Sequence, residues 1–271
     1  MSRQETIINI KNKIIENADI YSSQLAGRYY LYIFDNKCFE MYYGTENYLH
    51  LTGVGTNLSS SQFYQLAKNG QLQTTQLFFN ERYPIKVANK KTTYLANIEN
   101  FIREDNLIIK NLITTTCTYP YAIVNRDLSI LLGIKEETID NIYIPKSFRV
   151  KGNILNKTID ENVFNIDYIL GKKDFASKYD LVFFERNLEY ANLDEEIKDK
   201  IDDEILHNIK NNKLAWIIYE TVYCLKTFHA PLNLILSGSL KLSFLVNITS
   251  YFKLNCKKNN GKNNEIKYIL N

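Results

Sequence analysis

Apolar residues recur at three- and four-residue steps at the start of the chain, which predicts a helix over residues 4–26. They form one apolar stripe, made of Ile7, Ile10, Ile14, Ala18, Tyr21 and Leu25. Gly27 suits the end of this helix. Two runs rich in aromatic and β-branched residues follow, Tyr29–Phe34 and Cys38–Tyr43, and Asp35–Lys37 between them predicts a short hairpin loop.

Short strands and two further helices are predicted for the middle of the chain. A serine cluster at residues 59–61 can cap a helix that ends at Asn69-Gly70, and a second helix is predicted from Asn89 to Arg103. The predicted strands are Leu107–Thr115, Tyr121–Asn125, Leu128–Ile134, Val163–Leu170 and Leu181–Arg186, with Pro120 as a break and Pro145–Arg149 extended. Because helices and strands do not alternate regularly, we predict an α+β fold with the N-terminal helix packed on an antiparallel sheet.

The composition changes after Arg186. Residues 189–210 hold eight acidic residues against three lysines, and isoleucines at four-residue intervals predict a solvated helix with a narrow apolar seam. A more apolar helix at Leu214–Phe228, an apolar stretch at Leu232–Leu254 and a mobile Asn/Lys/Gly-rich tail follow. We therefore predict an α+β domain at residues 1–187 and a mostly helical, apolar C-terminal appendage with a basic tail at residues 188–271.

Composition limits the classes of function. The chain has 271 residues with 45% hydrophobic and 23% charged residues, as in ordinary globular proteins. Its net charge of +3 is small, so any nucleic-acid site must be a local patch. The four cysteines form no CxxC pair, and no apolar run reaches the ~18 residues of a membrane span. We expect a cytoplasmic protein with no membrane partner, no metal and no cofactor.

The strongest candidates for catalytic chemistry lie in one segment, His50-Leu51-Thr52-Gly53. A histidine between apolar residues that end at a glycine is a candidate for acid–base chemistry at the end of a strand. The same pattern is typical of a buried histidine whose ring is satisfied by a backbone carbonyl, and the pattern alone favours that structural interpretation.

Three segments resemble a known family. They are NYLHLTGV followed by SSSQFYQLAKNGQL, then YIPKSFRVKG (Tyr143–Gly152), then FNIDYILGKKDFASKYDLVFFER (Phe164–Arg186). In this order they resemble the fourth phage group of the barnase–EndoU–colicin–RelE superfamily of predicted nucleases, over roughly the first two-thirds of the chain. The resemblance implies that the three segments meet on one face of the antiparallel sheet.

Metal-free RNA cleavage, which the resemblance implies, needs a base, an acid and a cation that neutralises the phosphorane. We expect His50 to perform acid–base work, Lys146, Arg149 and Lys178 to contact phosphate, and Thr52 to donate a hydrogen bond. The predicted substrate-binding residues are Ser147, Lys172, Lys173 and Tyr179. Lysines at such a turn are as often simply solvated, and Tyr179 can be a packing residue.

Two hypotheses follow. The first is a metal-independent endoribonuclease of a phage or mobile element, which attacks RNA through the ribose 2′-hydroxyl and serves as a toxin or as an effector against the host. The alternative is a non-catalytic phage protein on the same fold that inhibits a host defence factor or binds nucleic acid. A His50 buried away from the lysines would favour the alternative. The C-terminal region is the predicted surface for a host or immunity protein, although the sequence slightly favours its being only a cap on the domain.

Overall fold

The computed structural model describes residues 2–114, 117–137, 141–150, 162–172, 176–186 and 193–207, all within one compact unit from Met1 to Ile209. The first helix, α1, spans Arg3–Gln24. Ser2 and Glu5 form a capping box at its start, with each side chain accepting a hydrogen bond from the other residue's backbone N–H. The predicted stripe is confirmed, since its members from Ile10 to Leu25 are fully buried.

The hairpin is also confirmed. Strands β1 (Tyr29–Phe34) and β2 (Lys37–Tyr42) pair in antiparallel register, with Tyr29 opposite Tyr42. Asp35 and Asn36 form the turn between them and have φ angles of 48° and 51°. Two consecutive positive φ angles fit the type I′ turn that matches the twist of paired strands.

The remaining helices are short: α2 (Tyr48–Thr52), α3 (Ser60–Lys68), α4 (Ile85–Tyr94), α5 (Asn100–Arg103) and α6 (Glu195–Lys198). The remaining strands are β3 (Gly55–Thr56), β4 (Leu77–Phe78), β5 (Leu107–Ile113), β6 (Thr118–Val124), β7 (Ile130–Glu136), β8 (Tyr143–Val150), β9 (Val163–Asn165), β10 (Tyr168–Gly171) and β11 (Leu181–Glu185). This combination confirms the α+β class. Helix α1 packs mainly on α3 and α4, and it reaches the sheet where the Tyr21 ring meets that of Tyr43.

Nine strands form one large sheet in the order β11-β10-β1-β2-β8-β7-β6-β5-β9, and β3 pairs separately with β4. Every described pair in the large sheet is antiparallel except β2 with β8. The sheet curls strongly: Phe39 on β2 stacks on Tyr121 of β6 with ring centroids 4.6 Å apart, although β8 and β7 separate these strands. Phe34 of β1 likewise meets Phe164 of β9.

Strand β1 is buried on both faces. Tyr30, Tyr32 and Phe34 belong to the main core with the helices, whereas Leu31 and Ile33 belong to a second cluster. Residues 193–207 supply four further members of that second cluster, Leu193, Ile197, Ile201 and Ile205, and the rest are Tyr168, Leu170 and Tyr179. A backbone bridge joins Ile201 to Tyr179, and the N–H of Tyr179 donates to the carbonyl of Lys200.

Several sequence predictions were wrong in detail. The helix predicted from Asn89 begins at Ile85, directly after Pro84, and breaks up before Arg103. Pro120 lies inside β6 rather than ending it, facing the stretch of β5 where Asn111 has a φ of 52°. Residues 166 and 167 interrupt the strand predicted at Val163–Leu170.

The C-terminal predictions are covered only in part. The described stretch 193–207 is two helical turns around the extended residue Ile201, not one continuous helix, yet its apolar seam is buried as predicted at Ile197, Ile201 and Ile205. The boundary at residue 187, the helix Leu214–Phe228, the apolar stretch and the basic tail stay predictions, because the elements beyond residue 207 lie outside the described residues. Among the helices that are described, none is long and apolar enough to cross a membrane.

Candidate functional site

The large sheet opens between β2 and β8. In the described residues these two strands pair at one position, Met41 with Tyr143, and β8 then continues to Val150 without β2 beside it. Helices α2 and α4 both contact β8 there, and they contact each other. The opening therefore brings together side chains from three elements that are distant in sequence.

Helix α2 presents His50 at this opening. Tyr48 and Leu51 are fully buried on one side of the helix, and the Tyr48 hydroxyl donates to the carbonyl of Ile14 on α1 at 2.6 Å. Gly53 ends the helix with a φ of 75°, a conformation that glycine adopts without strain. His50 points away from the buried side and is exposed. The prediction that it lies at the end of a strand was wrong, because residues 48–52 form a helical turn.

Helix α4 contributes Lys91, which lies directly over Gly53. A Cβ atom placed on Gly53 would come within 2.7 Å of Cδ of Lys91, so the bare glycine backbone makes room for this side chain. Lys91 is half-buried. Its neighbour Thr92 and, one turn earlier, Ala88 are buried against the core, which sets the orientation of the helix.

The charges at the opening affect one another. Partial burial, together with the positive charges of Lys146 and Lys91, lowers the pKa of His50 below its usual value. Burial, together with the charge of Arg149, lowers the pKa of Lys91 to about 8. At neutral pH the imidazole is therefore mostly neutral, and the nearby lysine is a cation that gives up its proton more readily than an exposed lysine.

Strand β8 supplies Lys146 and Arg149. Lys146 is exposed and lies where the register between β7 and β8 shifts, between Pro145 and Ser147. The guanidinium of Arg149 donates to the Tyr119 hydroxyl at 3.1 Å and lies 5.5 Å from the centre of the Tyr119 ring. These contacts with Tyr119 hold Arg149 in position along the strand.

Thr52 and Ser147 differ in whether their hydroxyl groups can reach a ligand. Thr52 is fully buried, and its hydroxyl donates to the carbonyl of Leu49 at 2.8 Å. Its proton is thus used inside α2, and the side chain closes the helix rather than facing a ligand. Ser147 is half-buried on β8 next to Lys146, and its predicted contact with substrate stays a prediction.

Three other predicted residues lie around Glu40 of β2 or near residues 193–207. Tyr179 is buried and donates to Glu40 at 2.7 Å, and the ammonium group of Lys172 is 3.8 Å from the same carboxylate. Lys178 pairs with Asp203 at 3.3 Å. The His50 group therefore includes Lys146 and Arg149 but not these residues. The remaining candidate, Lys173, lies outside the described residues.

The carboxylate of Glu40 is bound by three side chains, those of Tyr179, Lys200 and Lys172. Burial disfavours its charged form, but hydrogen bonds from Lys200, at 2.5 Å, and from Tyr179, together with the charge of Lys172, outweigh burial and lower its pKa. Burial and the hydrogen bond to Glu40 raise the pKa of Tyr179. This network ties Lys200 in the segment 193–207 to the sheet.

Lys91 is the residue that sequence reasoning missed. A signal for it exists, because Leu95 and Ile98 follow Lys91 by four and seven residues and both are fully buried. A lysine that continues the apolar stripe of a helix must either reach past the core or sit beside it with a perturbed pKa. Its partners His50 and Gly53 are about forty residues earlier in the chain, so the spacing alone did not indicate the site.

The grouping has definite chemical capacities. A neutral imidazole accepts a proton, a lysine of pKa about 8 donates one, and Lys146 and Arg149 stabilise an anion. Among the described residues, no three His, Cys, Asp or Glu side chains converge in a way that would hold a metal ion. These capacities suit a reaction at a phosphodiester in which negative charge develops on the phosphate oxygens.

Comparison with known proteins gave one match. A family model described as phage-Barnase-EndoU-ColicinE5/D-RelE like nuclease4 (PBECR4) matches residues 13–188, which include the C-terminal half of α1, both helices at the opening and the large sheet. Comparison with curated proteins and with solved structures gave no match. The matched region covers well over half of the chain and contains His50, Lys91, Lys146 and Arg149. The chain belongs to the PBECR4 family of barnase–EndoU–colicin–RelE-like nucleases.

Proposed function

We propose that this protein is a metal-independent endoribonuclease of a phage or mobile element, which cleaves RNA by attack of the ribose 2′-hydroxyl. The observation that carries the proposal is the cluster at the sheet opening, where partial burial and the positive charges of Lys146 and Lys91 lower the pKa of His50. Membership of a nuclease family gives this cluster a phosphodiester as its natural substrate. Host-cell cytoplasm is the proposed place of action.

The reaction divides among the four residues as follows. Neutral His50 takes the proton from the 2′-hydroxyl, and the resulting oxygen attacks phosphorus. The ammonium group of Lys91 gives a proton to the departing 5′-oxygen as the P–O5′ bond breaks. Lys146 and Arg149 contact the non-bridging oxygens while their charge grows. The products are a 2′,3′-cyclic phosphate and a 5′-hydroxyl, and no atom has to come from a metal-bound water.

The positions of the charged groups favour this reaction over the non-catalytic alternative. Simple binding of RNA needs cations but does not need an imidazole whose pKa is lowered by partial burial and by nearby lysines. His50 is exposed and adjacent to Lys146, which is the opposite of the burial that would favour a pure binding protein. A host or immunity protein that binds the C-terminal region remains part of the proposal.

The test is incubation of the protein with total tRNA and with mRNA in the presence of EDTA, with identification of the product ends. The wild type is expected to leave cyclic phosphates. His50→Ala and Lys91→Ala are each expected to lose at least about a hundredfold in rate, the usual contribution of a general acid or base. Lys86→Ala is the matched control, because Lys86 is exposed on the same helix as Lys91. Absence of cleavage by the wild type across substrates would replace this proposal by the binding alternative.

A further inference from the structure

A second concave site lies on the other side of the β1–β2 hairpin from the sheet opening. It is a cleft of about 310 Å³ at the ends of β1, β10 and β11. Its lining combines aromatic, basic and apolar side chains, namely Arg28, Tyr29, Tyr30, Lys172, Leu181 and Phe183. None of the three strands carries a member of the His50 group, so the cleft is a separate site.

Aromatic rings form the walls of the cleft. Tyr29 is half-buried and packs against Tyr42 of β2, with ring centroids 4.7 Å apart and planes tilted by 33°. Phe183 meets the buried Tyr30 edge to face at 5.1 Å. Gly171 lets Phe183 lie close to the backbone, since a Cβ there would come within 2.5 Å of its ring. The rings are thus held by neighbours, Tyr29 on the side of the second cluster and Tyr30 and Phe183 on the side of the main core, and the half-buried Tyr29 is the ring on which a ligand could stack.

Two basic side chains, Arg28 and Lys172, also line the cleft. Arg28 donates from Nη1 to the carbonyl of Gln24 at 3.2 Å and also interacts with the Tyr30 hydroxyl, and a guanidinium has five N–H donors in all. The ammonium group of Lys172 lies between the Tyr29 and Tyr179 rings, 5.7 Å and 4.4 Å from their centres, and 3.8 Å from the Glu40 carboxylate, so a ligand phosphate there would share it with Glu40. Arg103 is not part of the lining, but it lies over Phe183 at 5.4 Å and is held by Gln24 and Glu99. A ligand whose planar part stacks on Tyr29 would therefore place an attached anion near Arg28 and Lys172.

We infer that this cleft holds one nucleotide of a single-stranded RNA, with its base on Tyr29 and its phosphate at Arg28 and Lys172. A planar aromatic body with an anion attached is the chemistry that such a mixed lining recognises, and stacking on rings tolerates any base. The volume is at the lower end for ligand pockets, which fits one nucleotide rather than a duplex. The inference rests on the proposed function, and it gives the substrate a second point of attachment away from the His50 group.

The experiment measures binding of a short fluorescein-labelled 2′-O-methyl oligonucleotide by fluorescence anisotropy. This probe has no 2′-hydroxyl to react, so binding is separated from cleavage. Tyr29→Leu removes the ring but keeps an apolar side chain, and it is expected to weaken binding about tenfold. Arg28→Gln is expected to weaken binding to a similar extent, about tenfold, through loss of a charge-assisted hydrogen bond. Arg3→Gln is the control, because Arg3 is exposed in the first turn of α1.

The results separate this inference from the proposed function. If the wild type cleaves RNA while both variants bind the probe as the wild type does, the cleft assignment is wrong and the nuclease proposal stands. If the wild type cleaves no RNA but both variants lose binding, the cleft assignment stands and the nuclease proposal fails. Competition by poly-aspartate as effective as that by unlabelled oligonucleotide would also overturn the inference, since the cleft would then recognise charge alone. Should Arg28→Gln fail to fold, Tyr29→Leu decides.

Discussion

The protonation of His50 depends on two lysines that approach it from different elements. Lys146 comes from β8 and Lys91 from α4, and both charges oppose the imidazolium form. Lys146→Ala is therefore expected to raise the pKa of His50 and to move the acidic limb of kcat/KM to higher pH. An NMR titration of the His50 ring protons in both proteins measures the change directly.

Lys86→Ala serves as control for this titration, since it removes one exposed lysine from the same protein without touching the His50 group. Its His50 titration should coincide with that of the wild type. A pKa of His50 that stays constant in Lys146→Ala would mean that burial alone lowers it, and Lys146 would lose its place in the site.

Lys91 is expected to set the alkaline limb. Its pKa of about 8 means that the ammonium form disappears above that pH, and a reaction that needs this proton slows accordingly. Lys91→Arg is expected to be slower, because arginine hardly releases a proton, and to lose the decline near pH 8. The pH dependence of kcat/KM in both proteins is the measurement. An unchanged alkaline limb in Lys91→Arg would assign that limb to another group.

The end of α2 links backbone conformation to the position of Lys91. Gly53 combines a φ of 75° with a side chain packed on its bare Cα. Gly53→Ala is expected to cost about 1–2 kcal/mol of stability from the left-handed conformation. It should also displace Lys91 and reduce activity well beyond what the loss of stability explains. Unfolding in denaturant and the EDTA cleavage assay together measure the two effects.

Gly70→Ala is a matched control for that variant. Gly70 has a φ of 69°, close to that of Gly53, but nothing lies within 4 Å of the Cβ that an alanine would add. It should lose a similar amount of stability and keep its activity. Equal activity in the two variants would show that the position of Lys91 over Gly53 does not matter for the reaction.

Helix α1 and the β1–β2 hairpin could be predicted because their signals are local. The 3.6-residue stripe and the Asp35-Asn36 turn each fix a structure from adjacent residues alone. The local structure at His50 was predicted wrongly because its local pattern resembles a strand, whereas packing with distant residues makes it a helix. Tyr48, His50 and Thr52 alternate with leucines as in a strand, and the helix forms because Tyr48 and Leu51 are both drawn into the core beside α1.

The candidate site was predictable only as far as residue types and the resemblance reached. They led to His50, Lys146 and Arg149; the charge of Lys146 acts on His50 and that of Arg149 acts on Lys91, and the role of these residues stays a prediction. Lys91 was missed because its proximity to His50 arises from how α4 packs against α2 and β8. Tyr179 was assigned to substrate, whereas its hydroxyl partner Glu40 lies 139 residues away in sequence, a distance that no local pattern spans.

Residues 193–207 pack on the face of the sheet that carries Leu31 and Ile33, and the Glu40 carboxylate helps to hold them there through Lys200. Glu40 has a lowered pKa in the folded protein, so its contribution to stability is present above the unfolded value and is lost as the pH falls through the folded value. Glu40→Gln is expected to lower the free energy of unfolding at neutral pH and to flatten its decline in acid. Chemical unfolding at a series of pH values gives both curves.

Glu185→Gln provides the comparison, because Glu185 is an exposed carboxylate at the end of β11. Hydrogen exchange adds a local measurement: amides of residues 193–207 should lose protection in Glu40→Gln before those of β1 do. If the two glutamine variants have the same pH dependence, the Glu40 network does not hold this segment.

The single pairing between β2 and β8 has a consequence for how the protein is made. His50 and Lys91 are synthesised early, whereas Lys146 and Arg149 follow only after three more strands, and they reach the opening when β8 docks at Met41. A nascent chain that ends before Tyr143 thus carries the proposed acid–base pair, His50 and Lys91, without the two cations proposed to bind phosphate. If the proposed mechanism holds, the site is complete only after most of the matched region has been synthesised.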